Sequence, residues 1–313
     1  MEMNSTSLRA KKWLHDNNYP FTDYAPFNKS AHSFENEGLY GVEIPVINSF
    51  DTLNKTIYWL EHYQVRCDRF NETKGTWLLS KNELKDMLSL CYEKKIGITF
   101  SLSPRPEYDP KAAFYRTSFG LEQGRQINNH DAFSYAIEEA IELAELGCRG
   151  LIVYDIGLLY ILSKMRSEGV LPKDLLFKIS SHCMITNPFI AKIFHLHGAD
   201  SVTMVHDVSL SVLQESRKLC PGLLLDVSID AYHDKGGFIR YAELSQIVQL
   251  ASPVILKLGA SAQGNPYDTI TDDTIKLRAY RAMIGLEHLK KALPEAKQIN
   301  IDNKFRCVPI KNL

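Results

Sequence analysis

The chain has 313 residues, of which 45% are hydrophobic and 23% charged, a globular balance that excludes wholesale disorder. At about 150 residues per domain the length admits two domains, and a single α/β barrel of about 250 residues fits it equally well. Thirty-six basic residues against 37 acidic ones leave a net charge of −1. A nucleic-acid partner, which usually demands a basic excess, is therefore not expected.

Residues 1–39 carry no apolar h-region, so no signal peptide is expected. From there the chain alternates β-rich runs with segments of helical period. Tyr40–Ile47 and Gln64–Phe70 read as strands, the second with Arg66 and Asp68 alternating. Lys81–Lys94 follows as a helix with Leu84, Met87, Leu88 and Cys91 on one face. Gly97–Ser103 is the third strand, and residues 104–129 form a long insertion after it. Asp131–Leu146 is a helix, Gly150–Asp155 a strand, Leu158–Arg166 a helix and Leu176–Ser181 a strand. Asn187-Pro188 caps the helix Pro188–His197. Ser201–His206, Leu223–Asp230 and Pro253–Gly259 complete the strands, with helices at Leu210–Leu219, Tyr241–Ala251 and Thr271–Ala292. The strands read as apolar on both faces, as in a covered parallel sheet.

Eight strands alternating with helices, and neither a GxGxxG nor a GxxxxGK[ST] loop after any of them, favour a (β/α)8 barrel of the TIM type over an open doubly wound sheet. The expected organisation is an N-terminal extension (1–39), the barrel (40–292) and a C-terminal extension (293–313). The six cysteines, at 67, 91, 148, 183, 220 and 307, form no CxxC pair. No iron–sulfur cluster is expected, and scattered thiols suit a cytoplasmic protein. No run approaches the roughly 18 apolar residues of a membrane span, so no membrane partner is expected.

Barrel active sites lie at the C-terminal strand ends. That rule selects Glu43, Asp155, His182, His206, Asp230 and Lys257 as catalytic candidates. Lys257, inside the apolar run VILKLG, has the sharpest signal: burial would lower its pKa and suit it to a Schiff base. The alternative is a lysine neutralised by a strand-end carboxylate. Arg66, Arg105, Arg116, Tyr154 and Ser261 are candidates for binding substrate, the small residues Gly259–Ala262 by offering backbone N–H groups to an anion. His182, His206, Asp230 and His233 are of the right types for one divalent metal. No HxH or HExxH spacing singles that out, and each histidine could equally be a hydrogen-bond partner. The cofactor is left open.

One stretch resembles a known family. Leu146-Gly147 ends a helix, and Ile152–Gly157 reads IVYDIG. Ile179-Ser180-Ser181-His182 is followed by Ile185-Thr186-Asn187, then His197–Val202 and Asp207-Val208-Ser209-Leu210. This order is similar to the peptidase U32 family over about residues 130–260. The resemblance implies a TIM-type core and, for some members, peptidase activity. This chain departs from the family at strand ends: His182 replaces a usual Gln, His206-Asp207 a usual Arg-Glu, and Asp230-Ala231 a usual His-Gly, and the family's cysteine cluster has no counterpart. The leading expectation is hydrolysis of a peptide-like or small amide substrate at the barrel mouth. The alternatives are a Schiff-base lyase or aldolase using Lys257, and a non-catalytic barrel that binds a ligand or partner. The oligomeric state, a homo-oligomer included, stays open.

Overall fold

The computed structural model describes residues 5–20, 27–103 and 126–311. Eight parallel strands close on themselves: β1 (Gly38–Pro45), β2 (Arg69–Asn71), β3 (Gly97–Ser101), β4 (Gly150–Val153), β5 (Leu176–Ile179), β6 (Ser201–Thr203), β7 (Leu224–Ser228) and β8 (Val254–Lys257). Each pairs with the next, β8 pairs with β1, and the β1–β2 ladder shuts the ring. The fold is a (β/α)8 barrel. A ninth strand, β9 (Lys297–Gln298), pairs with the start of β1 outside the ring.

Helices α2 (Phe50–His62), α3 (Lys81–Lys94), α4 (His130–Glu145), α5 (Ile156–Ser167), α6 (Pro188–Leu196), α7 (Leu210–Leu219), α8 (Leu244–Ala251) and α9 (Asp272–Ala292) follow the strands in turn, and α1 (Ser5–Asp16) precedes the barrel. Periodicity alone passes over α2. Its local signals are nevertheless present: the Ser49 side chain accepts from the Thr52 N–H, Asp51 sits in the first turn, and Leu53, Ile57 and Leu60 are buried.

Two expectations are corrected. The second strand is Arg69–Asn71 and not Gln64–Phe70. Side chains alternate along a strand, so this shift exchanges Arg66 and Asp68 for Arg69 and Asn71 on the interior face. The strands also alternate in character. Val42, Ile44, Phe70, Phe100, Leu151, Phe177, Val227 and Leu256 belong to the apolar core that packs under the helices. Between them stand buried Glu43, Arg69, Asn71, Lys178, Thr203, Asp226 and Ser228. Barrel interiors are usually filled by branched aliphatic residues; this one is filled by charge.

The chain ends close the floor of the barrel. Phe34 packs with Leu224, Ile255 and Ile299, and Phe305 lies against them. Buried Arg306 donates to Asp68 (3.1 Å) and to the Lys95 carbonyl (2.7 Å). Gly97 makes room for this segment, because a Cβ there would lie 1.4 Å from the Arg306 carbonyl oxygen. Replacing Gly97 with Ala forces the floor apart. The expected cost is about 1–3 kcal/mol or more, as for other overpacked cores, read as a lower midpoint in urea unfolding.

Candidate active site

Glu43, in the middle of β1, has no exposed surface. It meets cations from three other strands. Lys178 of β5 reaches both its oxygens, at 2.5 and 2.6 Å. Arg69 of β2 donates Nε to Oε2 at 2.6 Å, and Lys257 of β8 lies 3.3 Å from Oε1. Asp226 of β7 takes the Arg69 Nη2 at 2.5 Å, stands 3.1 Å from Lys178, and accepts from the Ser201 hydroxyl at 3.1 Å. The Asn71 side-chain Oδ1 accepts from Lys178 at 3.1 Å. Arg69 also donates Nη1 to the Phe305 carbonyl (3.2 Å), tying the network to the floor.

Burial pushes the Glu43 carboxyl up, but Lys178, Arg69 and Lys257 together outweigh it and hold the group well below the usual carboxylate range. For Lys178, burial is the strongest influence and lowers the pKa. The carboxylates of Glu43 and Asp226 oppose it, the cations of Lys257 and Arg69 assist it, and the amine settles at about 8.

Above this layer a pocket opens at the C-terminal strand ends. Lys178, Lys257, His182, His206, Tyr154 and Thr203 line it, with Lys235 and Tyr232 from the turn after β7. The Tyr154 hydroxyl shares a 3.0 Å hydrogen bond with Ser101, and the Tyr154 and His182 rings lie 6.1 Å apart. The Ser180 side chain meets His182 Nδ1 at 3.3 Å. The fold thus brings Lys257, His182, His206 and Tyr154 to one mouth, with Glu43 beneath.

Other sequence candidates stand elsewhere or are engaged. Asp155 caps α5: Oδ1 accepts from Leu158 N–H at 2.8 Å and Oδ2 from Ile127 N–H at 3.0 Å. Asp230 accepts from the N–H groups of Gly259 (2.8 Å), Ala260 (3.3 Å) and Ser261 (3.0 Å), and from the Ser261 hydroxyl. The small-residue loop after β8 therefore does cradle an anion, and that anion is the protein's own carboxylate. Ser261 is thereby occupied. Burial raises the Asp230 pKa, and these hydrogen bonds work against it. Arg66 lies at the floor, where it donates to the Ile299 carbonyl and faces Asp68 at 3.2 Å. Its expected place at the mouth is wrong because the strand register is shifted. Arg105 and Arg116 lie outside the described residues. The proposed metal set does not gather: His233 is exposed, Asp230 is engaged, and among the described residues no three His, Cys, Asp or Glu side chains group as ligands.

Reading the sequence does not single out Lys178, Arg69 or Thr203. Lys178 carries the same signal as Lys257, one lysine inside an apolar run (LFKIS). Arg69 is hidden by the register, and a lone threonine in a strand carries no signal at all.

No family model matches the chain, and no curated protein matches it. Solved structures match weakly. One described as native KDPGal is 10% identical, covering 82% of this chain and 95% of that one, with a TM-score of 0.46. The U32 peptidase Mk0906 is 13% identical over 75% and 97%, with a TM-score of 0.42. A putative deoxyribose-phosphate aldolase from Coccidioides immitis is 8% identical over 82% and 94%, with a TM-score of 0.46. At these values the barrel assignment rests on the strand pairing itself, and the resemblance to U32 peptidases goes no further than a shared barrel.

The Glu43 network sets a stability prediction. Replacing Glu43 with Gln leaves three cations to one carboxylate, and breaking such a buried pair costs about 3–5 kcal/mol. Because the folded pKa lies below the ordinary 4.5, the Glu43 contribution is fully present above that value and fades as pH falls below it. The gap in unfolding free energy between wild type and Glu43→Gln should therefore be constant near neutrality and narrow below about pH 4.5.

Proposed function

We propose that this barrel is a Schiff-base lyase or aldolase, with Lys257 as the amine that attacks a substrate carbonyl. One observation carries the reading: two lysines from separate strands, β5 and β8, converge on a single oxygen of Glu43 at the base of the mouth pocket. The two are held differently. Lys178 is 3% exposed and fixed by Glu43, Asp226 and Asn71. Lys257 is 14% exposed, and its carboxylate contact is a single oxygen at 3.3 Å. The loosely held amine can swing to a ligand; the fixed one would first have to give up its contacts to Glu43, Asp226 and Asn71.

In the reaction a lysine ammonium and a carbonyl combine to an iminium and one water, with charge conserved. The iminium then takes up the electron pair of the carbon–carbon bond one atom away, giving an enamine. The carbon on the far side of that bond leaves as a carbonyl as its hydroxyl loses a proton, and that proton needs an acceptor. Lys178 is already committed to Glu43, Asp226 and Asn71 and is not that acceptor. The His182 and His206 rings line the same pocket and are the candidates.

The hydrolase reading set out from the sequence takes Glu43, Asp155 or Asp230 as its base. Asp155 and Asp230 hold backbone N–H groups, and Glu43 lies beneath three cations. The geometry therefore favours the amine.

The test is reductive trapping. Borohydride added with pyruvate or glyceraldehyde 3-phosphate should fix a covalent adduct, which peptide mass mapping places on Lys257. Lys257→Met should lose the adduct and the activity. Its urea midpoint should move little, since Glu43 keeps Lys178 and Arg69. An adduct on Lys178 would transfer the role; no adduct on either lysine sinks the reading.

A further inference from the structure

Among the described residues, the charges in the barrel interior do not balance. Arg69, Lys178 and Lys257 bring three positive charges to Glu43 and Asp226, which bring two negative ones. An unmatched cation in a buried site is costly. The described residues that line the pocket above include neither Asp nor Glu. A second observation points the same way. Thr203 lines this pocket and is 1% exposed, and among the described residues its hydroxyl has no hydrogen-bond partner. Buried hydroxyls are otherwise nearly always paired.

We propose that the pocket is an oxyanion site: the substrate carries its own carboxylate or phosphate, which takes the Thr203 hydroxyl and supplies the negative charge that the Arg69, Lys178 and Lys257 group lacks. This deepens the Schiff-base reading and rests on it for the carbonyl, while binding of the oxyanion itself needs no covalent step. An iminium on Lys257 keeps the positive charge, so the oxyanion stays matched through the reaction. The pocket is a cavity of about 50 Å3, which admits a head group only. A groove of about 650 Å3 shares Ser181, His182, His206 and Lys235 with it and leaves room for the rest of the molecule.

The experiment uses probes that separate charge from carbonyl. Acetate and inorganic phosphate carry an oxyanion and form no imine; acetone forms an imine and carries no charge. Calorimetric titration of the whole chain should give saturable one-site binding of acetate or phosphate, and the tighter of the two identifies the group. Thr203→Val should weaken that binding about tenfold or more, the usual loss for a hydrogen bond to a charged group. Its melting temperature should stay level or rise, because the fold loses no partner.

Absence of saturable binding by either anion overturns the proposal, and so does undiminished binding in Thr203→Val. A Thr203→Val protein that melts several degrees lower would show the hydroxyl already tied into the fold, and would overturn it equally. If the anions bind as described while acetone and borohydride leave no adduct, the oxyanion site stands and the Schiff-base reading falls. Trapping of acetone without anion binding gives the converse.

Discussion

A carboxylate with no access to water, Glu43, holds Lys178, Arg69 and Lys257 from three other strands at once. Each of these ions alone would cost several kcal/mol to bury. They are tolerable only together, and only when the strands stand in the register that brings their side chains to one level. The barrel interior is therefore a specific arrangement. An aliphatic interior could be repacked at modest cost; a charged one loses its balance when any member moves.

The same network explains why the chain ends belong to the fold. Arg69 uses Nε and Nη2 on carboxylates and Nη1 on the Phe305 carbonyl. Asp68, next to it in sequence but facing the floor, accepts from Val42 N–H (2.8 Å), Gln298 (2.6 Å) and Arg306 (3.1 Å). Two adjacent residues at the start of β2 thus bind opposite ends of the barrel, one at the site and one at the plug. The terminal segment after α9 supports the residue that orients Glu43 and Asp226.

The barrel is legible in the sequence because its signal is redundant: eight apolar runs of similar spacing survive an error in any one of them. The site is legible only where polarity breaks an apolar run. Lys257 stands out in VILKLG, and Lys178 stands out equally in LFKIS once the strand is known to face inward. Arg66 and Asp68 mislead because a strand displaced along the chain presents the other parity of side chains. Asp155 and Asp230 mislead for a different reason. Sequence places a carboxylate at a strand end, but whether it faces substrate or the backbone of the next loop depends on where that loop's N–H groups point. No local pattern encodes this.

That last ambiguity has a consistent outcome across the mouth. Asp155 holds Leu158 and Ile127, and Asp230 holds the loop after β8. Glu72 accepts from Gly75 N–H (2.6 Å) and Ser101 N–H (3.1 Å), and Glu139 from Ser103 N–H (2.7 Å). Four carboxylates around the strand ends are thus anchored to backbone. Lysine has no acceptor to offer a backbone N–H and can only donate, so Lys178 and Lys257 point at Glu43 from the interior while the acids hold the rim. A chain of nearly neutral overall charge in this way brings, among the described residues, two lysines and neither Asp nor Glu from the strands to the pocket lining. The charge of that described lining follows from which residues hold the loops and not from the composition.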